Sequence, residues 1–157
     1  MKRNVCCFIG HRNIDETEEL RAKLTGTIEK LIVDEGIDTF LFGSKSRFND
    51  LCLEFVTRLK EKYPHIKRIY VRAEYPIIDD KYKSYLLKKY EDTYYPEKLL
   101  RAGKAVYVER NCEMIRESAL CVVYYNKFEM PSTRKSGTKI AVDHAAKQGK
   151  RIINVFI

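Results

Sequence analysis

The chain reads as an α/β protein with a Rossmann-like, mainly parallel sheet of five to six strands and helices on both faces. Two observations predict this. Short, continuous apolar runs, above all residues 5–9 and 119–125, suit strands buried on both faces of a sheet. Amphipathic stretches of helical period separate these runs, and strands alternating with helices imply right-handed crossovers between parallel strands. The 157 residues fit one domain spanning 1–157.

Val5-Cys6-Cys7-Phe8-Ile9 forms the first strand and Gly10 ends it. Asp15, three residues before Glu18, resembles the start of a capping box. Leu20, Leu24, Ile28, Leu31 and Ile32 then recur at helical spacing, and Gly36 marks the stop. The second strand is Thr39-Phe40-Leu41-Phe42, ended by Gly43. Leu51, Cys52, Phe55, Val56 and Leu59 give the next helix its apolar face, closed before Pro64, and Ile69-Tyr70-Val71 is the third strand. Residues 74–103 are long for a simple connection and read as an elaborated crossover. Within them Tyr82, Tyr85, Leu86 and Tyr90 predict an amphipathic helix, and Pro96 starts a short second one. Residues 105–108 read as a short strand, 110–118 as a brief helix and 119–125 as a strong strand. The last helix covers 137–148, with Ala141, Ala145 and Ala146 allowing close packing, and 152–157 is the closing strand.

Composition excludes several classes. No apolar stretch approaches the roughly 18 residues needed to span a bilayer, and the apolar run behind Met1-Lys2-Arg3-Asn4 is too short for a signal peptide. The five cysteines form no C-x-x-C pair and are read as reduced thiols of a cytoplasmic protein. His11, His65 and His144 show no ligand spacing with them, so neither a metal nor a cofactor is expected. The net charge of +8 is uneven: residues 58–104 hold thirteen Lys/Arg against seven Asp/Glu, with eight of the eleven tyrosines. Base-stacking surfaces mix cations and aromatics in this way. A solvated basic face with half-buried tyrosines accounts for it as well, and no RRM or KH signature accompanies the charge.

In a parallel α/β sheet, ligands sit beyond the C-terminal strand edge at the topological switch point. The candidates are therefore residues that follow strands. Gly10 allows close backbone approach, with His11 and Arg12 placed to meet a phosphate or a base. Gly43-Ser44 after the second strand offers donors to an anion, and Asp50 either caps the following helix or holds a ribose hydroxyl. Glu74 follows the third strand. Arg110 is read as opening a helix, where a cation is unfavourable and so invites a functional reason, and Glu109 serves as its partner or as a general acid/base. Ser136-Gly137-Thr138 is the best phosphate cradle: a helix start with free N–H groups, hydroxyls and the positive dipole end.

Gly10-His11-Arg12, Phe42-Gly43-Ser44 with Phe48 and Asp50, Arg110-Asn111-x-x-Met114 and Ser136-Gly137-Thr138 together resemble the SLOG superfamily. The nearest resemblance is to its small YpsA/YoqJ-like branch, related to the Lonely Guy phosphoribohydrolases and the DprA-type DNA-processing proteins, and it covers nearly the whole chain. It implies a sheet edge that binds a nucleotide or nucleoside-phosphate-derived ligand, and a homodimer. The Lonely Guy segment Glu-Arg-Lys-x-x-Met is matched by Glu109 to Met114, and its arginine is catalytic, so the resemblance implies that role for Arg110. Of the segment Pro-Gly-Gly-x-Gly-Thr-x-x-Glu only Gly137-Thr138 is matched, and Ala141 stands where the glutamate would be. Cleaving an N-glycosidic bond needs a carboxylate, which Ala141 does not provide. The expected function is thus binding or sensing of a nucleotide-type ligand. The alternatives are an N-glycosidic hydrolase or transferase acting on nucleoside monophosphates, and a DprA-like nucleic-acid module.

Overall fold

The computed structural model describes residues 3–128 and 137–157. Its elements run β1 (Val5–Gly10), α1 (Glu18–Glu35), β2 (Thr39–Phe42), α2 (Arg47–Lys62), β3 (Lys67–Val71), α3 (Asp80–Leu86), β4 (Asp92–Tyr94), α4 (Val106–Arg116), β5 (Leu120–Tyr124), α5 (Gly137–Lys147) and β6 (Arg151–Asn154). The six strands form one sheet in the order β4-β3-β2-β1-β5-β6, and every pairing is parallel. The chain leaves β1 for β2 on one side, and β5 leads to β6 on the other. The switch point therefore lies between β1 and β5, which pair in register from Cys6↔Leu120 to Gly10↔Tyr124.

The period-two alternation of the strands sorts side chains onto two faces. Cys6 and Phe8 of β1 join Leu120, Val122 and Tyr124 of β5 beneath α1, α2 and α3. Cys7 and Ile9 join Cys121 and Val123 beneath α4 and α5, where the small Ala141 and Ala145 let α5 approach closely. Both faces being covered, the strands read as continuous apolar runs. All five cysteines are free thiols, four of them buried. No helix among the described residues is long and apolar enough to cross a membrane.

The structure corrects three expectations. Residues 105–108 are not a strand: a 3-10 turn at Gly103–Ala105 leads directly into α4, which starts at Val106. The sixth strand is β4, three residues at the sheet edge that carry no apolar signal. Its place is fixed by distant polar partners. Arg68, largely buried on β3, donates from Nε to Glu91 Oε1 (2.9 Å) and from Nη2 to Oε2 (2.6 Å). Thr93 Oγ1 donates to the Tyr70 carbonyl at 2.8 Å. The third correction is at the start of α1, where Thr17 rather than Asp15 is the cap, its Oγ1 accepting the Leu20 N–H at 3.0 Å. Gly36 ends that helix at φ 69°, the left-handed conformation expected of a glycine stop.

Candidate functional site

A cavity of about 460 Å³ opens at the C-terminal edge of the sheet. Gly10, His11 and Arg12 line it from the end of β1, and Gly43 and Ser44 from the end of β2. Glu74 reaches it from the loop after β3, Arg110 from α4, and Gly137 and Thr138 from the start of α5. Two sequence candidates lie elsewhere. Asp50 is exposed in α2, and neither it nor Glu109 lines the cavity. The cap expected of Asp50 is provided by Ser46, whose Oγ accepts the Asn49 N–H at 3.0 Å. Ser136, with Arg134 and Lys135 before it, lies outside the described residues.

Arg110 forms the floor. It is only 4% exposed. Its Nη1 donates to the Gly43 carbonyl at 2.6 Å and its Nε to Asn111 Oδ1 at 3.1 Å. Nη2 has no hydrogen-bond partner among the described residues, and no carboxylate of those residues comes within ion-pairing distance. Burial holds the guanidinium pKa below its ordinary value, with partial compensation from Tyr70, Tyr107 and Glu74. The reason given from sequence for its importance does not hold. Arg110 sits one turn inside α4 rather than at its first residue, so the helix dipole is not what makes it unusual. Its unusual property is burial with no carboxylate of the described residues within ion-pairing distance.

The glycines acquire a different role as well. A Cβ at Gly43 would stand 2.6 Å from Arg110 Cδ and 2.8 Å from Met114 Sδ. A Cβ at Gly10 would stand 2.3 Å from Phe48 Cδ2. Both glycines therefore make room for neighbouring side chains of the protein itself. Of the three glycines that line the cavity, Gly137 alone would carry a Cβ that meets nothing within 4 Å. His11 is likewise engaged: its Nε2 accepts the Asn126 N–H at 2.9 Å, tying the loop after β5 to the end of β1. Thr138, 6% exposed, makes no side-chain hydrogen bond among the described residues.

Sequence reading missed the side chains that complete the walls. Lys45, Tyr70, Tyr107 and Asn111 all line the cavity. Asn49, next to the residue singled out, accepts the Gly43 N–H on Oδ1 at 3.3 Å and so fixes the loop whose carbonyl holds Arg110. Tyr107 was hidden by reading 105–108 as a strand. Its hydroxyl donates to Glu74 Oε1 at 2.9 Å, and Lys45 Nζ lies 3.0 Å from the same oxygen. These bonds, Lys45 first, hold the Glu74 carboxyl below the ordinary carboxylate pKa and raise that of Lys45.

The pH dependence of this clamp follows. Its contribution is fully present above the unfolded carboxylate pKa and is lost as pH falls through the lowered folded value. On the alkaline side it is lost as pH rises through the raised Lys45 value. Lys45 is largely exposed, so the contribution stays under about 1 kcal/mol. Lys45→Met should lower the melting temperature slightly at pH 7, and the difference from the wild type should shrink as pH falls through the lowered Glu74 value, as thermal melts across the acid range would show.

The basic, tyrosine-rich stretch divides in two. Tyr70 and Tyr90 stack on each other at 5.2 Å between ring centres, with Tyr90 buried in the core. Tyr75, Tyr82 and Tyr85 form a chain of ring contacts nearer the surface. No family model and no curated protein matches the chain.

Proposed function

We propose that the chain binds a nucleotide or a nucleoside-phosphate-derived ligand at the C-terminal edge of its sheet. The observation that carries this reading is Arg110: a cation 4% exposed, facing a cavity, with no carboxylate partner among the described residues. Burying an unpaired charge is costly unless something pairs with it. An anionic ligand group supplies that partner. The start of α5 also lines the cavity and brings the positive end of its helix dipole to it. The volume of about 460 Å³ falls within the range of small-ligand sites. The resemblance to SLOG proteins points to the same edge and the same ligand class.

An N-glycosidase is the second reading, and it rests on Glu74, the one carboxylate among the described residues that line the cavity. Glu109 is outside it, and Asp143 is paired with Lys139 at 3.0 Å on the exposed side of α5. The lowered pKa of Glu74 suits an ionised acceptor or base, not a proton donor. Release of free base from a nucleoside monophosphate, abolished in Glu74→Ala, would favour this reading.

The binding test is a thermal-shift panel of pyrophosphate, nucleoside monophosphates and ADP-ribose. A ligand at a hundredfold excess over its Kd stabilises the native state by about 2.7 kcal/mol, which a melt resolves easily. No shift with any member would end the proposal.

A further inference from the structure

We infer that Glu74 makes this site select phosphates that carry a free sugar hydroxyl. The inference rests on the reading of the cavity as an anion site. Lys45 and Tyr107 reach Glu74 from different elements, yet both engage Oε1. Oε2 has no hydrogen-bond partner among the described residues. One carboxylate oxygen is thus held by the protein, and the other is unengaged by the described residues on a side chain that lines the cavity. Its backbone is fixed too. Buried Arg72 donates from Nε to the Tyr75 carbonyl at 3.0 Å and from Nη2 to the Pro76 carbonyl at 3.4 Å, pinning the segment that follows Glu74.

Arg110, Arg12, Lys45 and Tyr70, whose side chains carry hydrogen-bond donors, line the same cavity. A bare phosphate chain would satisfy the cations but bring like charge toward Glu74. A pentose phosphate satisfies both demands, with its phosphate at Arg110 and a hydroxyl donating to Oε2. Lys45 and Tyr107 act as positioning residues, since they set which oxygen is free.

The experiment is calorimetric titration of the wild-type protein and Glu74→Ala with AMP, 2′-deoxy-AMP, 3′-deoxy-AMP and pyrophosphate. A hydrogen bond to a charged acceptor is expected to be worth roughly tenfold or more in affinity. One of the two deoxy ligands should therefore bind the wild type at least about tenfold more weakly than AMP. In Glu74→Ala that ratio should fall to near one, while pyrophosphate binds as tightly as before or tighter. Equal binding of AMP and both deoxy forms by the wild type overturns the inference and leaves the anion site standing. So does discrimination that persists in Glu74→Ala. Failure of all four ligands to bind the wild type overturns both. Glu74 is partly exposed, so losing its clamp costs little stability, and a cooperative melt of Glu74→Ala only slightly below that of the wild type confirms that the variant is folded when its affinities are compared.

Discussion

Arg110→Met is expected to abolish ligand-induced stabilisation while leaving the ligand-free protein nearly as stable as before. The reason is that two terms oppose each other in the free protein. Methionine removes a guanidinium held out of water with no ion-pair partner among the described residues, which by itself is stabilising. It also strands the buried Gly43 carbonyl, which now accepts from Nη1 at 2.6 Å, and an unsatisfied buried acceptor costs about 1–3 kcal/mol. In the complex nothing offsets the loss. Removing one partner of a desolvated charge pair costs about 2 kcal/mol or more, at least roughly 30-fold in affinity. Arg110→Lys should fall between. A lysine ammonium is a point charge without the planar fork that lets Arg110 hold Gly43 with one nitrogen and keep another for the ligand. The measurement is paired melts with and without nucleoside monophosphate. A ligand shift retained in Arg110→Met would remove the basis of the anion site.

The contrast between Arg110 and β4 shows what the sequence makes visible. Strands β1 and β5 could be read directly, because burial on both faces demands unbroken apolar runs and nothing else in the chain looks like them. Strand β4 could not be read. Asp92-Thr93-Tyr94 has no apolar pattern, and the interactions that place it come from Arg68 and Tyr70, more than twenty residues away in the chain. The Val-Tyr-Val of 106–108 misleads for the complementary reason. β-branched and aromatic residues favour strands only weakly, and here the edge position beside β3 was already taken. In the site, the topological rule found the right strand ends, since it depends only on where strands stop. It said nothing of Lys45 and Tyr107, whose meeting on Glu74 depends on three separate elements. It also gave Gly10 and Gly43 a reason, open access for a ligand, that the packing replaces with another.

That replacement leads to the largest stability effect expected in the molecule. Gly10→Ala should destabilise the protein by at least about 1–3 kcal/mol, the usual range for overpacking a filled core. The new Cβ would lie 2.3, 2.5 and 2.7 Å from Cδ2, Cγ and Cβ of Phe48. Phe48 has little freedom to yield. It is fully buried, its ring contacts Tyr124 at 5.9 Å, and it lies in the first turn of α2 beside the cap at Ser46. Gly10 itself is held in register against Tyr124 of β5. The strain must therefore move α2, and with it Asn49 and the Gly43 loop that seats Arg110. Urea unfolding of Gly10→Ala, Phe48→Leu and the double variant separates the causes. If the clash is responsible, Gly10→Ala costs less in the Phe48→Leu background, and the coupling energy between the two sites is favourable. If Gly10 were glycine only to admit a ligand, the variant would unfold at the same urea concentration as the wild type. It would then lose affinity alone.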